Sequence, residues 1–203
     1  MKVLARARRV LCVPAVAALI VTSAACGVTN PFRQHEYEEE VYLSLDGTAT
    51  VYVNSSLAAL NALRGTSFDA SPNARVDTAA VRAYYSSENT HVTRVSPFRR
   101  NNRRYVHVRL DVDDIRKLGE AAPFAWSVYR FQRDGNLFVY RQLIGGAAGK
   151  DVGNVGWNGR ELVAFRLHLP SKIRYHNTPS GVEGRGNILT WNSRCWTACG
   201  ACR

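Results

Sequence analysis

Three observations predict an α+β fold: a mostly antiparallel β-sheet built from hairpins, with two or three short helices on one face. Apolar and polar residues alternate in paired runs around turn residues, over 38–54, 90–112 and 124–143, and a period of two marks a half-buried strand. Between these runs, apolar residues recur every three or four positions behind a capping residue, the pattern of a short helix. Residues 27–194 contain no cysteine, so a hydrophobic core, not a disulfide framework, has to hold them together.

The chain opens with Lys2, Arg6, Arg8 and Arg9 and no acid. An almost wholly apolar run over 10–21 follows, then the small residues Ser23, Ala24 and Ala25 before Cys26. That order is a secretory signal peptide. The run is too short for a comfortable span, which takes about 20 apolar residues, and Pro14 interrupts it. The stretch resembles bacterial lipoprotein precursors, whose lipobox ends in a cysteine that is acylated and becomes the first residue. Ser23 stands where that family prefers leucine, and the same small residues also suit an ordinary signal peptidase. The resemblance implies lipidation of Cys26, a tether over 27–36, and a cell-envelope location, membrane-anchored and facing the periplasm or exterior.

Loss of the leader's four basic residues lowers the net charge from +11 to +7. Nucleic acid is not an expected partner of an exported chain. The expected partners are the membrane, through the lipid, and anionic lipid headgroups or another envelope protein. An ordinary arginine-rich solvated surface accounts for the same charge.

The body is expected as one domain over 37–191. It opens on Glu36, Glu38, Glu39 and Glu40, read as carboxylates at a solvated strand start. Val41, Leu43 and Leu45, the Asp46-Gly47 turn, and Ala49, Val51 and Val53 predict the first hairpin. Asn54-Ser55-Ser56 offers a cap for a helix carrying Leu57, Leu60 and Leu63, which Gly65 ends. Asp77 caps a second helix over 78–85. Strands over 90–98 and 105–112 flank the turn Arg99-Arg100-Asn101-Asn102-Arg103-Arg104. The four arginines form a candidate patch for anionic ligands through bidentate guanidinium pairing; protection of a hairpin end against edge pairing explains them equally. Asp113-Asp114 start a third helix reaching about residue 120, which Pro123 ends. The third hairpin, over 124–143, carries Phe124, Trp126, Tyr129, Phe131, Phe138 and Tyr140; such a face suits an acyl chain or ordinary packing on the helices. Residues 145–159 are expected as a long mobile loop and the best lid candidate. Strands are expected over 161–169, 172–176 and 187–191.

No catalytic constellation, metal site or cofactor site is predicted. The glycine-rich stretch 145–151 lacks the spacing of a phosphate loop, the five histidines show no zinc spacing, and no G-x-S-x-G is present. The favoured reading is a non-catalytic binding or assembly module. The alternative is an envelope hydrolase gathering His168, His176 and carboxylates near the 145–159 loop.

Residues 192–203 change composition abruptly, with Cys195, Cys199 and Cys202. The C-x3-C-x2-C spacing resembles the iron–sulfur motif of radical enzymes that use S-adenosylmethionine, but here a single residue follows it and the compartment is oxidising. A frameshift accounts for the tail better. With GC-rich codons, one restored G after the Trp191 codon yields W-E-Q-S-L-L-D-G-V-R-G-V-P-L, whose apolar spacing is helical. The stretches over 37–47, 110–115, 122–127, 167–172 and 186–189 resemble an uncharacterised, acidobacterial-type family of bacterial envelope proteins, whose members continue from the tryptophan with W-E-Q. The D-G hairpin and the late N-x-L-x-W strand are also similar to mycobacterial LppM-like lipoprotein domains. Neither resemblance implies catalytic residues.

Overall fold

The computed structural model describes residues 35–194. The expected signal peptide, Cys26 and the three C-terminal cysteines lie outside them. Alternation converts into strands where it was expected: β1 (His35–Leu43), β2 (Ala49–Ser56), β3 (Thr90–Arg100), β4 (Arg103–Val112), β5 (Ser127–Asp134), β6 (Leu137–Ile144) and β7 (Leu162–His168), followed by β8 (Val182–Glu183) and β9 (Ile188–Arg194). Seven of them form one sheet in the order β3-β4-β2-β1-β7-β9-β8; β5 and β6 pair only with each other.

The fold is mostly β-sheet with a few short helices, and the large sheet is mixed. Its antiparallel hairpins match expectation, but β1 and β7 run parallel, with Val41 opposite Leu167. Two further expectations are corrected. Residues 172–176 form no strand; the Ile173 amide donates instead to the Gly186 carbonyl. The third helix is two short 3₁₀ segments, Ile115–Glu120, whose first turn the Asp114 carboxylate caps at the Arg116 amide, and Ala122–Phe124.

α1 (Leu57–Arg64) starts where the Ser56 hydroxyl accepts the Ala59 amide at 3.0 Å and ends at Gly65 in the left-handed region, φ 72°. Everything in it from Leu57 to Leu63 is buried. α2 (Thr78–Tyr85) is capped by Asp77 and buries Val81 and Tyr85. Both helices share one core with Tyr37, Val41, Val51, Val53, Val108 and Leu110. These are alternate residues of the strands, so the core occupies one face of the sheet.

The expected lid is fastened along its first part. The Ala148 and Lys150 amides donate to the Leu63 and Ala62 carbonyls at the end of α1. Lys150 Nζ donates to the Thr66 carbonyl and the Ser67 hydroxyl, each at 2.6 Å. Helix-end carbonyls lack intrahelical partners, and residues 145–150 supply them.

Candidate functional site

The β5–β6 hairpin carries its aromatic residues over the β7–β9 side of the core face. A groove of about 1360 Å³ runs between them. Phe165, Leu167, Leu189 and Trp191 form its sheet wall, and Phe131 and Phe138, stacked at 5.5 Å, belong to its hairpin wall. The segment over 169–177 adds Ile173, Lys172, Arg174 and His176, and β6 adds Arg141; among the described residues no carboxylate lines the groove. Phe138, Leu143, Ile144 and Tyr175 remain exposed along it. Isolated surface apolar residues need no explanation, but a contiguous apolar concavity rimmed by charge does.

A buried polar cluster ties the hairpin to the sheet. Glu39 sits on β1 in phase with Tyr37 and Val41, and so faces the core. Its Oε1 accepts from the Tyr129 hydroxyl at 3.0 Å and from Gln142 Nε2 at 3.1 Å, one donor on each strand of the hairpin; its Oε2 accepts from the Tyr37 hydroxyl at 3.0 Å. Burial pushes the Glu39 carboxyl up, while the Arg64 guanidinium and the three donors oppose the rise. Burial likewise raises the Tyr37, Tyr129 and Tyr140 hydroxyls well above their usual range. Arg64, in the last turn of α1, lies 3.2 Å from the centre of the Trp126 ring and 4.4 Å from that of Tyr37. A desolvated cation over aromatic faces is held by about 2 kcal/mol. Trp126 is shared by this cluster and the groove.

The opposite sheet face carries a polar network. His168 Nε2 lies 2.6 Å from Glu40 Oε1, and its ring stacks on Tyr42 at 4.0 Å. Arg166 bridges Glu40 and Glu38 at 3.4 and 3.3 Å. Asn54 links Glu38 to His107, whose imidazole burial pushes toward the neutral form, with Arg94 adding to the shift. His176 lines the groove on the core side. The two histidines of the expected hydrolase site are therefore on different faces and do not converge.

The arginine turn is a two-residue hairpin loop, with Asn101 and Asn102 both at positive φ (48° and 60°), which suits a type I′ turn. Its four arginines do not form one patch. Arg103 reaches over the sheet to Glu36 Oε1 at 2.7 Å, where the Tyr105 hydroxyl also donates at 2.6 Å. Arg99 and Arg104 turn to the other side, beside Arg75. The expected carboxylates of a solvated strand start are corrected at Glu36 and Glu39, which are both buried. The phase of Glu39 with Tyr37, Val41 and Leu43 was the signal that separates it from Glu38 and Glu40.

No family model matches the chain, and no curated protein does. Among solved structures, the chain is similar to the NMR structure of the folded domain of LppM from Mycobacterium tuberculosis, with a TM-score of 0.43 and 13% sequence identity over 83% of this chain and 88% of that one.

Proposed function

We propose that the chain is a non-catalytic binding module of the bacterial cell envelope, tethered through lipid on Cys26, which holds the acyl chain of an anionic amphiphile in the groove beneath the β5–β6 hairpin. The observation that carries this reading is the groove: about 1360 Å³, with apolar walls, Arg141, Lys172, Arg174 and His176 among its polar lining, and no carboxylate among the described residues. Apolar walls stabilise a hydrocarbon tail by about 0.8 kcal/mol per buried methylene. Cationic residues along the same groove favour a carboxylate or phosphate headgroup over a cationic one. Tyr175, 85% exposed between Arg174 and His176, pairs an aromatic ring with basic residues, a combination suited to the bilayer interface from which such a ligand would load. The leader and the lipobox-like end of the signal sequence support the location. Among the described residues no helix is long and apolar enough to cross a membrane. The acidobacterial-type envelope family remains part of this proposal, supported by the motifs quoted above.

Binding of a dansyl-labelled fatty acid to the mature protein tests the groove. Fluorescence should rise and shift to the blue. Unlabelled fatty acids should displace the probe with affinity climbing about tenfold for every two methylenes, and alkyltrimethylammonium ions of equal length should compete poorly. Ile144→Arg and Phe138→Arg place charge on the hairpin face turned to the groove, at side chains that are 46% and 45% exposed, so the fold tolerates them; each should weaken binding at least tenfold. Absence of a fluorescence change, or affinity indifferent to both substitutions, overturns the assignment.

A further inference from the structure

The β3–β4 register splits the arginine turn into two pairs. Arg100 stands opposite Arg103, and Arg99 opposite Arg104; with a side-chain period of two, the pairs leave the sheet on opposite sides. Arg103 is committed to Glu36. Arg99 and Arg104 line a separate pocket of about 390 Å³, together with Arg75 from the loop before α2. Like charges directly across a strand pair repel, yet no carboxylate lines this pocket and none of the three arginines has an ion-pair partner among the described residues. Asp77, the acid nearest Arg75 in sequence, is spent on α2: its Oδ1 accepts the Ala79 and Ala80 amides at 3.0 and 2.9 Å. Arg104 Nε is closed to solvent and makes no hydrogen bond among the described residues. Val76, Pro97 and Phe98 give the pocket an apolar wall.

We propose that this pocket is a second ligand site, distinct from the groove, which binds a phosphomonoester with the phosphate on Arg75, Arg99 and Arg104 and the organic remainder against Val76, Pro97 and Phe98. Three guanidinium groups without a counter-charge match a dianion. Their planar forks pair bidentately with phosphate oxygens, which a compact ammonium does not. The apolar wall and the volume call for more than inorganic phosphate alone. The same chemistry is presented by a soluble sugar or glycerol phosphate and by the headgroup of a phosphatidic-acid-type lipid.

Calorimetric titration of the mature protein with glycerol 3-phosphate, and cosedimentation with phosphatidylcholine vesicles containing either phosphatidic acid or phosphatidylglycerol, test the site. Binding of glycerol 3-phosphate, of phosphatidic acid vesicles, or of both is expected, with phosphatidylglycerol, a monoanionic diester, at least tenfold weaker. Saturation by the soluble ester alone assigns a soluble ligand; binding to phosphatidic acid vesicles alone assigns a headgroup. Arg75→Gln and Arg104→Gln should each cost at least tenfold, and Arg100→Gln, on the other side of the sheet, should change nothing. Arg75 is exposed, so its variant folds and keeps the test decisive. Binding to neither ligand, equal affinity for the diester, or an equal loss with Arg100→Gln overturns the site.

Discussion

Arg103→Met is expected to be the most damaging single change at the arginine turn, because it removes the guanidinium that lies against a buried carboxylate. Tyr105 stands opposite Ser56 on β2 and donates to Glu36 of β1, and Arg103 reaches the same carboxylate from the start of β4. The Glu36 side chain is 0% exposed and that of Arg103 14%; Arg103 Nη1 lies 2.7 Å from Glu36 Oε1 and 3.9 Å from Glu161 Oε1, whose side chain is 4% exposed. One guanidinium therefore serves two buried acids. At an effective dielectric near 20, charges about 4 Å apart attract by about 4 kcal/mol, and truncating one partner of a buried pair typically costs about 3–5 kcal/mol. Methionine keeps the apolar stem and removes only the charge. Against a total stability of about 5–15 kcal/mol, and with a urea slope near 2 kcal/mol/M, the unfolding midpoint of the mature protein should fall by about 2 M. Arg100→Met, on an exposed side chain of the same turn, should stay within about 0.5 kcal/mol. Adding Glu36→Gln to Arg103→Met should restore more than half of the loss. A loss below about 1 kcal/mol, the level of a surface ion pair, or no recovery in the double variant, refutes this account of the turn.

Two further outcomes are expected. Burial holds the Glu39 carboxyl above its ordinary value, so the native state keeps a proton over a pH range in which the unfolded chain has lost it. This contribution is full below the unfolded value, about 4.3, and is lost as pH rises through the native one. Glu39→Gln removes that titration, so its urea midpoint relative to the wild type should improve steadily from about pH 4 toward neutrality; parallel curves across the range would show that Glu39 does not titrate differently in the two states. At the N-terminus, metabolic labelling with palmitate should mark the chain in its native host and fail on Cys26→Ser, with export preserved in both; a labelled Cys26→Ser protein would place the lipid elsewhere.

The elements that sequence alone revealed are those decided within a few residues. Ser56 and Gly65 bracket α1 because a hydroxyl and a left-handed glycine satisfy backbone groups locally. Val41, Leu43, Val51 and Val53 define the first hairpin because the Asp46-Gly47 turn fixes their register. The parallel pairing of β1 with β7 had no such signal. The two strands lie about 120 residues apart, and an alternating strand reads the same whether its neighbour runs with it or against it. The same gap hid the groove. The aromatic content of the third hairpin was plain, but whether those rings met helices or an open wall depended on where β7 and β9 came to lie. The arginine turn was the intermediate case: its four charges were visible, and alternation alone implied that adjacent arginines part to opposite sides. What alternation could not supply was the buried acid on one side and its absence on the other. That asymmetry makes Arg103 a matter of stability, and it leaves Arg75, Arg99 and Arg104 without an ion-pair partner among the described residues.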